Sequence, residues 1–203
     1  MRVKPKISMM YFTLTWPNTV MCAFSNPVHA CNSGVWLTTP YFSPEVVTLQ
    51  KDGVLVGPFG AQLHTPRVGQ HFLGMSKAIS QIPGLSPRNR EIAIITTGAR
   101  FNAAYELYAH KALGKMKGIS EEEIEEMLRG KRPETFDEEG KAVYDAAHEL
   151  VDGSGPLSQA AWDRLVELLS KDGATALVQL VGFYSYVCMI LRGFDCKIPD
   201  ADK

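Results

Sequence analysis

The sequence predicts an all-α domain. Three observations lead there. Capping hydroxyls recur directly before prolines or acidic residues, apolar side chains recur at spacings of three and four, and no convincing alternating strand is present. About seven or eight helices are expected.

Ser43-Pro44, Thr65-Pro66 and Ser86-Pro87 each set a capping hydroxyl before a proline at the first helical position. There the missing N–H is no loss and the fixed φ is already helical. Ser120 with Glu123 spells a capping box, with Glu121 and Glu122 adding negative charge at the positive end of the dipole. Ser158 opens a further helix. Gly53, Gly118, Gly130, Gly153 and Gly173 follow periodic segments and read as stops.

Between these limits, Val68, Phe72, Met75 and Ile79 form one apolar stripe, and Ile92, Ile95 and Ala99 a second. Val143, Ala146, Ala147 and Val151 form a third, and Leu165, Leu168 and Leu169 a fourth. Residues 174–191 are apolar nearly all round, which predicts the buried central helix. Val54 to Val56 is too short for a strand and reads as a loop.

With 203 residues the chain can bury a substantial core, and the helical domain is expected over 37–203. Lys+Arg is 21 and Asp+Glu 22, a balance that argues against a generic nucleic-acid binder. No uninterrupted apolar run reaches the length of a bilayer span, so a multi-span membrane protein is not expected. Cys22, Cys31, Cys188 and Cys196 form no Cys-x-x-Cys pair and read as free thiols.

Residues 1–36 differ from the rest. Arg2, Lys4 and Lys6 precede an apolar run from Ile7 to Trp16, and Val28-His29-Ala30 resembles a small-residue cleavage site. That order fits a secretory signal. Pro17 and Asn18 interrupt it, which fits a plain extension instead. Localisation stays open between the two, with the cytoplasm favoured.

The chemically informative stretch is 90–114, REIAIITTGARFNAAYELYAHKALG. It reads as two helices joined near Gly98 to Asn102, with Asn102 placed to cap the second. Glu91 lies on the first; Glu106 and His110 lie on the second at i and i+4, on one face. Antiparallel packing would bring Glu91 to that face, beside Ile92, Ile95, Tyr105 and Leu113. Two carboxylates and an imidazole on an apolar wall suit proton transfer, because burial and mutual charge bring their pKa values toward neutrality. The same spacing also describes a solvated surface pair, or a metal site with Glu91 as third ligand, although neither zincin nor di-iron spacing is present. His64 precedes a helix and can line a pocket or bond a turn. Arg88 and Arg90 can clamp a carboxylate or sit at the surface. His71, His148 and the acidic run Glu121 to Glu126 read as solvent-facing.

This stretch resembles the carboxymuconolactone decarboxylase / alkylhydroperoxidase-D-like family. Peroxidase members carry Cys-x-x-Cys-x-x-x-His on the second helix. Here Glu91 and His110 match, while Ala103 and Glu106 stand at the cysteine positions. Glu106-Leu107-Tyr108-Ala109-His110 fits the Glu-x-x-x-His form of the decarboxylase-like branch. Gly57-Pro58-Phe59-Gly60, Leu63-His64-Thr65-Pro66, Leu180 to Tyr184, Phe194-Asp195 and Ile198-Pro199 look like that branch too. The resemblance covers 37 to 201; Arg192 departs from it, standing where a smaller polar residue is expected.

The resemblance implies an alkylhydroperoxidase-D-like fold, a trimer or hexamer, and no cofactor or metal. It implies a lyase that removes CO₂ from a carboxylated lactone or similar small acid, in aromatic catabolism or secondary-metabolite biosynthesis. Isomerisation, dehydration or cyclisation would use the same groups; thiol-dependent hydroperoxide reduction lacks its cysteine pair. His110 is expected as proton donor or acceptor, Glu106 as the residue that tunes it, and Glu91 as second acid/base. His64, Tyr105, Arg90 and Tyr184 are expected to contact substrate. The expected partner is a small molecule, not nucleic acid or membrane. Part of the 174–191 helix or the Phe72–Ile79 helix is expected between subunits.

Overall fold

The computed structural model describes residues 55–62 and 64–199. The readings for 1–36, Ser43-Pro44, Gly53, Val54, Cys22 and Cys31 lie outside those residues. The described chain forms α1 (Pro58–Gln62), α2 (Pro66–Ser80), α3 (Pro87–Phe101), α4 (Ala104–Met116), α5 (Glu121–Leu128), α6 (Glu138–Asp152) and α7 (Gln159–Gly193). No strand occurs among the described residues.

The centre is α3, which packs against α4, α5, α6 and α7. Every residue from Ile92 to Gly98 is buried. The two threonines in that run satisfy their hydroxyls inside the helix: Thr96 donates to the Ile92 carbonyl at 2.7 Å and Thr97 to the Ala93 carbonyl at 2.8 Å. Enclosure on all sides therefore belongs to α3, not to 174–191. In α7 the residues Thr175, Gln179, Gly182, Tyr186 and Met189 make an exposed stripe down one side. By length and composition alone α7 could cross a bilayer, yet half of its apolar window is buried against the other helices.

The caps follow the sequence in most places. Ser86 accepts from Asn89 N–H, Ser158 from Ala161 N–H, and Ser120 with Glu123 closes a complete capping box. Thr65 is an exception: Pro66 stands at the helix start, but the threonine hydroxyl makes no capping bond. Asp137, unnoticed in the sequence, caps α6 by accepting from Gly140 N–H at 2.7 Å.

Two expected boundaries move. Asn102 adopts φ 48°, ψ 46° and closes α3, its N–H bonding the Ala99 carbonyl, so it ends the first helix and does not cap the second. The break in α7 falls at Ser170 (φ 66°), three residues before the expected stop at Gly173. Gly173 does other work there. The carbonyl of Gly84, itself at φ 83°, lies where a Cβ on Gly173 would stand. Contact between two backbones is what fixes glycine at that crossing.

Candidate active site

Glu91 sits in the second turn of α3, Glu106 in the first turn of α4 and His110 one turn later. The short connection at Asn102 and Ala103 turns α4 back antiparallel along α3. Gly98 and Gly114 let the helices approach: a Cβ on Gly98 would meet Leu107 Cδ2 at 3.2 Å and Glu106 Cγ at 3.5 Å. One on Gly114 would meet Ile95 Cδ1 at 2.9 Å, with Glu91 Cβ at 3.8 Å.

That packing closes the expected trio. Glu91 Oε2 lies 2.8 Å from His110 Nδ1 in an aligned hydrogen bond. Glu106 Oε1 lies 3.1 Å from His110 Nε2. The second contact attracts strongly but is poorly aligned, and Glu106 Oε1 receives no hydrogen bond although it is shielded from solvent. Glu106 is only 3 % exposed, and the side chains of Glu91 and His110 are each 12 % exposed. The surface-couple alternative does not hold.

Burial alone would drive the His110 pKa down. The charges of Glu91 and then Glu106, with the aligned Glu91 hydrogen bond added, overcome it and push the imidazole up to about 10. His110 is therefore an imidazolium at neutral pH, clamped from both ring nitrogens. Tyr184 closes the third side with its ring edge-on to the imidazole, centroids 5.2 Å apart at 85°. Among the described residues, no group of three or more His, Cys, Asp or Glu side chains is arranged to hold a metal ion.

The other expected residues divide. Tyr105 is buried next to Glu106, and burial followed by the Glu106 charge raises its phenol well above the usual range. Gly57 (φ 69°) packs its α-carbon on the Tyr105 ring, so that a Cβ would fall inside it. His64 is exposed and lies nearly parallel to Phe194 with centroids 5.7 Å apart. Arg90 is committed elsewhere: its guanidinium donates to the carbonyls of Leu85 (3.2 Å), Ile79 (3.0 Å) and Ile82. It ties the α2–α3 turn together.

Arg88 forks onto both oxygens of Glu123 at 3.1 and 3.2 Å and lies over the Phe136 ring. Glu123, expected to face solvent, is buried and also accepts from Thr135 and from Ser120 N–H. His71 is exposed, and His148 is half-buried against Tyr144.

Cys188 escaped the sequence reading as a neighbour of the site. It lies one turn beyond Tyr184 on α7 and is fully buried. Burial first, and then the Glu106 charge, push its thiol far from ionisation, with Arg192 opposing. Its i,i+4 spacing from Tyr184 was the available signal. Cys196 is half-buried, bonds the Gly57 carbonyl at 3.6 Å, and is also raised, by burial and Asp195.

Residues 66–149 match the carboxymuconolactone decarboxylase family model. The carboxymuconolactone decarboxylase resemblance read from the sequence stands. Among solved structures, this domain shares its fold with the debrominase Bmp8, an alkylhydroperoxidase-D-like all-α protein. A cysteine-to-alanine variant of Bmp8 in complex with 2,3,4-tribromopyrrole superposes with a TM-score of 0.62 and 13 % identity, covering 73 % of this chain and 79 % of that one. Apo Bmp8 superposes with a TM-score of 0.62 and 12 % identity, covering 72 % and 79 %. No curated protein sequence matches the chain.

Proposed function

We propose that the protein is an enzyme of the carboxymuconolactone decarboxylase family that moves protons with Glu91, Glu106 and His110. The reaction is cofactor-independent decarboxylation of a small oxygenated carboxylic acid or lactone. The observation that carries this reading is the buried imidazole held between two carboxylates, one of them keeping an oxygen without a hydrogen bond.

Breaking the bond to CO₂ leaves its electron pair on the adjoining carbon, spread onto a conjugated carbonyl as a dienolate. That intermediate needs a proton on carbon and a positive field near its oxygen. His110 supplies the field and stores the proton. Glu106 Oε1, 3.1 Å from Nε2 and otherwise unbonded, is the exchange point between ring and substrate. Glu91 holds the ring through its aligned bond to Nδ1. The geometry thus favours Glu106 as the proton carrier and Glu91 as the orienting group, the reverse of the roles expected for them from the sequence. Isomerisation or dehydration would draw on the same proton path.

Thiol chemistry is a weaker fit. A nucleophilic cysteine works as its thiolate, and both Cys188 and Cys196 are pushed away from ionisation. The bromopyrrole bound by the structural neighbour therefore brings no dehalogenation mechanism to these residues. The test is CO₂ release from a panel of carboxylated lactones and β-keto acids. Wild type is expected to turn over at least one member, with His110→Gln and Glu106→Gln each reducing the rate by 10²-fold or more, on the order of a lost general acid–base group. Equal rates in His110→Gln would refute the reading.

A further inference from the structure

A cavity of about 440 Å³ lies between the chain around Gly57 and the C-terminal residues after α7. Val56, Gly57, His64, Phe194, Lys197 and Ile198 are among the residues that line it. Phe194 and Ile198 are each about half exposed, 53 % and 51 %, although they are large and apolar. Exposed apolar side chains gathered around a concavity mark a place where a ligand covers them.

The polar groups around the cavity set the sign of that ligand. His64 and Lys197 bring N–H donors, and among the described residues no carboxylate lines the cavity. Asp195 pairs with Lys197, but both side chains are about four-fifths solvent-exposed (80 % and 76 %), so the pair exchanges readily for another anion. The nearly parallel rings of His64 and Phe194 offer a flat apolar face beside these donors. The volume admits a molecule of one or two rings.

We propose that this cavity is a binding site for a flat, apolar ring bearing one anionic group, with the ring against Phe194 and His64 and the anion toward Lys197. Gly57, which lines it, rests on the Tyr105 ring, and Glu106 is the next residue along α4. The site therefore adjoins the proton-transfer trio through a single side chain. The binding claim itself does not depend on what the trio catalyses.

The experiment is a ¹⁹F NMR titration of the full chain with 4-fluorobenzoate and, separately, with its neutral analogue 4-fluorobenzamide. Saturable 1:1 binding is expected, with benzoate at least threefold tighter. Phe194→Ala is expected to weaken both ligands at least fivefold. Lys197→Glu is expected to remove the preference for benzoate while keeping benzamide binding. Both positions are exposed, and an unchanged helical circular dichroism spectrum shows that each variant folds. No binding at millimolar ligand, equal affinity for the two ligands, or two variants that bind like wild type would each overturn the proposal. Loss of turnover in His110→Gln leaves these titrations unaffected, so the two readings fail separately.

Discussion

Replacing Glu91 with Gln keeps the shape of the side chain and removes one of the two charges that hold His110 protonated. The carboxylate oxygen is 2.8 Å from Nδ1, which puts the charge centres about 4 Å apart at an effective dielectric of about 20, worth about 4 kcal/mol. That energy corresponds to about three pKa units. The imidazole of Glu91→Gln should therefore titrate near 7, where wild type titrates at about 10. The chain has five histidines, so ring ¹⁵N and ¹³C resonances can be followed individually, with His110→Gln supplying the assignment.

Stability follows the same proton. The folded pKa of His110 lies above its unfolded value of about 6.5, so its contribution is complete below pH 6.5 and is lost as the pH rises through about 10. Wild type should lose several kcal/mol across that interval. Glu91→Gln, with folded and unfolded values nearly equal, should show little of this loss. A variant midpoint within half a unit of wild type would refute the electrostatic reasoning.

Three further outcomes are expected. Arg90→Met removes the donors that serve the carbonyls of Ile79, Ile82 and Leu85; denaturant unfolding should show a loss of about 3 kcal/mol, with the His110 titration unchanged. Gly173→Ala drives a methyl into the Gly84 carbonyl and should cost about 2 kcal/mol or more in the same measurement, whereas Gly182→Ala, with open space around it, should cost little. Val68, Met75, Tyr186 and Met189 expose apolar surface on α2 and α7, which predicts self-association. Light scattering at micromolar concentration should report an oligomer that Met189→Glu reduces toward the monomer.

The helices were readable because local rules governed them. Ser86, Ser120 and Ser158 cap as their neighbours dictate, and Gly118 and Gly130 turn the chain with positive φ as stops should. Reading failed where a contact distant in sequence set the outcome. Gly173 is a contact point with Gly84, not a stop, and Asn102 takes the left-handed conformation that lets α4 double back. Glu123 belongs to a run that looks solvated, yet Arg88 and Thr135, from outside its own helix, draw it inside.

The trio was legible for a related reason. The i,i+4 spacing of Glu106 and His110 is local, and one antiparallel pairing suffices to deliver Glu91. Arg90 also donates to three carbonyls around the preceding turn, a geometry that composition does not encode. The neighbourhood of Gly57, Tyr105 and Cys196 joins opposite ends of the domain, and no spacing rule points to it.

Turnover in D₂O tests the proton-transfer account most directly. A decarboxylated substrate from the panel should carry one solvent deuteron on a carbon of the former dienolate, and both products should fall together in His110→Gln and Glu106→Gln. CO₂ released at the wild-type rate by His110→Gln, or a product without the solvent deuteron, would contradict it.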